Sequence, residues 1–230
     1  MDRKLRLLRP LARRFQSSIA ATTTTPTAKL TTVHQGQLFE ARSHAVLRAQ
    51  MSMALTRVGG KSDGGIDLQG WWWLPPSSST SSSGPTLSGR RRLRVLGQCK
   101  AERLKLGPHF VREMEGVVLA LSHTQDSADT IALLVSESGF TRGGLERARE
   151  SRVPFFLLHL PPRAVAAEAP DAVGGCVWNS ALIALLGPEF EVRWERSIDP
   201  AEHSRPGLWW RGDRLKSWTP DESDDQENND

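Results

Sequence analysis

The chain is short of cysteine, of long apolar runs and of paired histidines, and each shortage closes off a class of protein. Two cysteines in 230 residues, Cys99 and Cys176, supply neither a disulfide framework nor a zinc cluster. Such sparse use suits a reducing compartment. No apolar stretch approaches the ~18 residues that read as a membrane span. The six histidines include no close pair at metal-ligand spacing. There is no Gly-rich phosphate loop of the P-loop type and no Gly-x-Ser-x-Gly elbow. Catalysis by a metal and a lysine is the enzyme mechanism that remains.

Hydrophobic residues make up 38% of the chain, and the shortfall sits in an Arg-rich leader, Ser/Thr tracts and an acidic tail. The middle retains enough to bury a core. The formal charge of +4 is unevenly placed. Residues 1–16 carry +5, residues 221–230 carry −6, and the middle is left at +5. A mildly basic middle is compatible with a nucleic-acid partner.

Two short segments hold most of the chemistry. One is Ser62-Asp63-Gly64-Gly65-Ile66-Asp67-Leu68; the other is Leu96-Gly97-Gln98-Cys99-Lys100. Side chains alternate along a strand, so Gln98 and Lys100 share one face and Cys99 takes the other. Two residues of rise separate them by about 6.6 Å along the backbone. If the strand at Asp67 pairs with this one, its carboxylate joins the same edge. The Asp67 carboxylate, the Gln98 amide oxygen and the Cys99 backbone carbonyl are hard oxygen ligands of the kind Mg²⁺ or Mn²⁺ takes. A water made acidic by the metal, beside Lys100, is then a nucleophile for a phosphodiester.

Residues 1–32 read as a mitochondrial targeting peptide. Arg3, Arg6, Arg9, Arg13 and Arg14 punctuate leucines, a Ser/Thr/Ala-rich stretch follows, and no acid occurs between Asp2 and Glu40. A basic arm contacting nucleic acid or a membrane surface is the alternative. From Gln37 to about Arg57 the spacing of Leu38, Ala41, Ala45, Ala49 and Met53, with Phe39 and Val46 alongside, predicts a helix. Trp71-Trp72-Trp73 on a strand face both sides, so at least one ring is buried. Residues 75–92 form a low-complexity insert ending in Arg90-Arg91-Arg92; with Arg94 these are candidate phosphate contacts or a solvated charge run. A helix over 109–122 with the stripe Val111, Met114, Val118 and Leu121, a strand at 131–135, a helix capped by Thr141 and a strand at 155–158 follow. Strands alternating with helices imply an α/β domain with a mixed sheet flanked by helices. Beyond residue 160, Val177 to Leu186 reads as a helix and Phe190 to Trp194 as a strand. The Trp-rich stretch 161–219, with Trp209, Trp210 and Trp218 among basic residues, either wraps onto the core or binds nucleic acid. Residues 220–230 are an acidic tail without an apolar anchor.

The order Gly-Gly-Ile-Asp-Leu, a strand, then Gln-Cys-Lys resembles the Mrr-like branch of the PD-(D/E)xK restriction-endonuclease superfamily, across residues 36–160. Phe140-Thr141 followed by Ala148 resembles that pattern too. The resemblance implies a restriction-endonuclease-like core. It places the metal Asp at Asp67, the Gln at Gln98, the Lys at Lys100 and the first-helix Glu at Glu40. It implies Mg²⁺-dependent hydrolysis of double-stranded DNA, and the leader points to the mitochondrial matrix as the place. The alternative is a non-catalytic nuclease-fold module that binds nucleic acid. The Arg-rich leader and Trp-rich C-terminal part resemble, more narrowly, a fungal mitochondrial family named for being required for respiratory growth.

Overall fold

The computed structural model describes residues 31–58, 64–75, 90–122, 129–162, 173–196 and 205–220. Its first element is helix α1, Thr32–Met51. Thr31 caps it by accepting the His34 N–H at 3.3 Å, and Ser52 ends it in the left-handed region at φ 56°. Strand β1, Met53–Arg57, follows at once, so the helix stops short of the Arg57 expected from spacing. The buried face of α1 runs through Phe39 and Val46 rather than through the spaced leucine and alanines. Phe39, Val46, Leu47 and Met51 point inward, while Leu38, Ala41, Ala45 and Ala49 face solvent. The bulkier side chains win because they remove more apolar area from water than alanines do.

Strand β2 is Leu68–Leu74 and strand β3 is Arg91–Lys100. Helix α2 spans Pro108–Ser122, strand β4 Thr130–Ser136, helix α3 Arg142–Glu150 and strand β5 Phe155–His159. Thr141 caps α3, accepting the Gly144 N–H at 3.1 Å. Residues 175–178 form strand β6 rather than the start of a helix. They pair with β5, and Asn179 then caps the short helix α4, Ser180–Leu186. Strands β7 (Phe190–Glu195), β8 (Arg205–Trp210) and β9 (Asp213–Arg214) make a second, antiparallel sheet.

The main sheet runs β1-β2-β3-β4-β5-β6. It is mixed: β3, β4 and β5 are parallel, and the flanking pairs are antiparallel. Parallel strands need cover on both faces, and the apolar runs of β4 and β5 reflect that. One face packs Val95, Leu133, Val135, Phe156 and Leu158 against α1, α4 and the second sheet. The other packs Leu96, Ala132, Leu134, Phe155 and Leu157 against α2 and α3. Trp72 is fully buried, edge-on to Phe156 at 5.6 Å and to Phe190 at 5.7 Å, so it joins the two sheets. The C-terminal segment is tied back by Ser217 and Trp218, which hydrogen-bond Ser52 at 2.8 and 3.0 Å.

Among the described residues, no helix is long and apolar enough to cross a membrane. The expected leader (1–32), insert (75–92) and acidic tail (220–230) fall almost wholly outside the described residues.

Candidate functional site

The Gly64-Gly65 turn delivers the chain to β2. Both glycines have positive φ, +62° and +83°, which side chains with a Cβ rarely adopt. A Cβ on Gly65 would also lie 3.0 Å from Gln98 Nε2 and 3.4 Å from Glu113 Oε1, so the turn presses against those two groups. Asp67 follows, at the point where the β2–β3 ladder runs out. Its N–H donates to the Gly97 carbonyl at 2.9 Å, and its carbonyl accepts the Val58 N–H at 2.9 Å. Its carboxylate Oδ2 accepts the Cys99 N–H at 2.7 Å. The last register pair of β2 with β3 is Leu68 with Gly97, so Cys99 has no ladder partner on that side. The carboxylate supplies the missing acceptor, and a charged acceptor makes the stronger bond.

Gln98, one step on from Gly97, is 2% exposed. Its Nε2 donates to Glu113 Oε1 at 3.3 Å from α2. Its Oε1 is buried with no hydrogen-bond partner. The carboxylate fixes which end of the amide is which, because a carboxylate accepts and cannot donate. Lys100 extends toward the same helix, with Nζ 5.6 Å from the Phe110 ring centroid. The Lys100 carbonyl accepts the Glu137 N–H at 3.0 Å on the β4 side. Backbone groups alternate along a strand, so the Cys99 carbonyl points to the other side, where Asp67 lies. Among the described residues no three His, Cys, Asp or Glu side chains group to hold a metal ion. The oxygen donors along this stretch are the Asp67 carboxylate and the Cys99 carbonyl at the β2–β3 edge, and the Gln98 amide with the Glu113 carboxylate on the α2 side. That hard donor set, with one buried oxygen unpartnered, fits Mg²⁺ or Mn²⁺.

Residues 31–186 match the family described as required for respiratory growth protein 7. The chain belongs to that family. An uncharacterized mitochondrial protein of Schizosaccharomyces pombe is 33% identical over 162 residues, 70% of this chain and 57% of that relative. The chain therefore spans little more than half of the relative's length. No solved structure matches it. The family region ends at the last residue of α4, before the second sheet, and contains Asp67, Gln98, Lys100 and Glu113.

The remaining predicted residues are placed differently. Glu40, on α1, is paired with Arg57 at 2.7 Å. Cys99 turns its thiol to the α1 side, toward Ser43. Arg91 faces α4 and donates to the Leu185 and Leu186 carbonyls, capping the end of that helix. Arg92 is exposed and lies over the Trp71 ring at 4.2 Å; Arg90 lies over Trp218 at 4.1 Å. Arg94 pairs with Trp71 in the β2–β3 register. Glu113 was not among the residues the sequence pointed to. It is one position off the buried stripe of α2, and its contact with Gln98 spans fifteen residues. A place beside a buried stripe is common to many surface acids, so no local pattern marks it.

Burial, and then the nearby Asp67 carboxylate, push the Cys99 thiol well up from its ordinary 9.0. Burial pushes Cys176 up to about 12. In the unfolded chain both ionise near their ordinary value; in the folded chain both stay protonated. The folded state thus binds more protons above pH 9, and stability that is complete below that pH is lost as pH rises through it. Each thiol is expected to contribute a loss of about 1.4 kcal/mol per pH unit there. Urea midpoints from pH 7 to 10.5 should fall, and Cys99→Ala should flatten the fall; an unchanged slope in the variant refutes the assignment to Cys99.

Proposed function

We propose that this chain is a mitochondrial, metal-dependent nuclease of restriction-endonuclease type that hydrolyses DNA phosphodiesters in support of respiratory growth. The observation that carries it is the Asp67 carboxylate bound to the Cys99 N–H at 2.7 Å, next along the strand to Gln98, whose buried amide oxygen has no partner. The family's name and the relative's mitochondrial description support the cellular setting. The Mrr-like order of Asp67, Gln98 and Lys100 supports the chemistry.

Asp67, the Gln98 amide oxygen and the Cys99 carbonyl would hold the cation. Mg²⁺ or Mn²⁺, if bound there, would supply Lewis acidity. Lys100 orients a water or takes its proton, and its ammonium offsets charge building on the phosphorane. Glu40 is held by Arg57 and would have to release it to assist. Arg92 and Arg94 contact backbone phosphates of double-stranded DNA without reading its sequence.

Plasmid and linear DNA should be cut with Mg²⁺ or Mn²⁺ and left intact in chelator. Absence of cutting on single- and double-stranded substrates by folded protein would instead favour a non-catalytic module that holds nucleic acid, a reading suited to the Arg92–Trp71 stack. The arginines divide by geometry. Arg92→Ala should weaken DNA binding and lower the slope of log K against log salt by about 1. Arg91→Ala should leave that slope alone and cost about 1.5–3 kcal/mol of stability through the lost charged hydrogen bonds to α4. Equal binding losses in both variants would refute this division.

A further inference from the structure

We infer that Glu113, which lies outside the Asp–Gln–Lys motif, is a positioning residue of this cation site and its second source of negative charge. The inference rests on the cation reading above. It begins from a deficit: an amide at position 98 leaves the strand motif with one carboxylate, Asp67, to balance a divalent ion. Glu113 returns the missing charge from α2. Its Oε1 accepts the Gln98 Nε2–H at 3.3 Å, while the Glu113 side chain as a whole is exposed and open to solvent.

The second observation is independent of charge. Gln98 is 2% exposed and its Oε1 has no partner. A buried polar atom without a partner costs free energy unless something uses it. An amide has one donor end and one acceptor end, and the two diverge from the same carbon. Anchoring the donor end on a carboxylate that cannot donate forbids the flip. The acceptor end is thereby held free and turned away from Glu113. Gly65 completes the arrangement, because a Cβ there would crowd both Gln98 Nε2 and Glu113 Oε1. Outer groups that orient a metal ligand in this way set its affinity by one to two orders of magnitude when removed.

The test is Mn²⁺ binding to the 230-residue protein, read by electron paramagnetic resonance of the free ion, with Mg²⁺ as competitor. Wild type should bind. Glu113→Gln keeps the size and an acceptor oxygen but loses the charge, and should weaken Mn²⁺ binding about 10–100-fold without moving the thermal midpoint. The exchange Gln98→Glu with Glu113→Gln restores both the charge and the hydrogen bond, with donor and acceptor traded between strand and helix. It should bring affinity back to within about 3-fold of wild type, a rescue that a merely structural contact would not show in this readout. If Asp67→Asn abolishes Mn²⁺ binding while Glu113→Gln binds like wild type, Glu113 has no part and the cation site stands without it. If wild type binds no Mn²⁺, the cation reading fails and the role of Glu113 fails with it.

Discussion

DNA cleavage should fall by about 10²–10⁴-fold in Lys100→Ala, the range lost with a positioned proton-transfer group. The side chain is half-buried, with Nζ 5.6 Å from the Phe110 ring centroid. Its removal should therefore leave stability within about 0.5 kcal/mol, as for surface changes away from buried networks. Asp67→Ala should lose as much cleavage for a different reason: it deletes a cation ligand. It also strips the Cys99 N–H of its acceptor, which costs about 1–3 kcal/mol if that N–H stays dry. Asp67→Asn separates the two effects. The amide oxygen still accepts from Cys99, so the strand junction holds, while the anionic ligand is gone. Plasmid nicking measured beside thermal unfolding reads both. Wild-type nicking in Lys100→Ala, or in folded Asp67→Asn, removes these residues from the chemistry.

What the sequence disclosed follows the range of the forces involved. Strand β3 was legible because its apolar run and its polar end are local, and alternation alone sends Gln98 and Cys99 to opposite faces. The mixed sheet was legible from strands alternating with helices. The end of α1 was not, because Ala49 and Met53 continue a helical period that Ser52 breaks only through its backbone conformation. Which of its apolar residues turn inward is decided by area: alanines at the right spacing carry little, and Phe39, Val46 and Leu47 set the orientation. Val177 and Trp178 continue the helical pattern of α4 in sequence; pairing of β6 with β5, a long-range fact, overrides it. Glu113 and the capping role of Arg91 were invisible on the same principle. Each meets its partner across fifteen to ninety-five residues, and no local pattern encodes that.

The largest expected loss of stability lies away from the site, at Asn179. This side chain is 2% exposed and fully occupied. Its Oδ1 accepts the N–H groups of Phe155 and Leu182, both at 3.0 Å. Its Nδ2 donates to the carbonyls of Ala148, Ser151 and Val153 at 3.1, 3.1 and 2.8 Å. One amide thus fastens the end of α3, the start of β5 and the first turn of α4. At about 1 kcal/mol net per bond, Asn179→Ala should cost on the order of 4–5 kcal/mol, or roughly 10–20 °C in thermal midpoint for a chain of this size. Asn179→Ser should recover about 1 kcal/mol, because serine still caps α4 but reaches none of the three carbonyls. Asn179→Asp should do no better than alanine: it would set a buried carboxylate against three carbonyl oxygens. Cleavage per folded molecule should not change, since Asn179 touches none of the groups around Asp67. A destabilisation under 1 kcal/mol in Asn179→Ala would mean that water or local rearrangement replaces the clasp. Lost activity at full folding would tie this corner of the sheet to the chemistry instead.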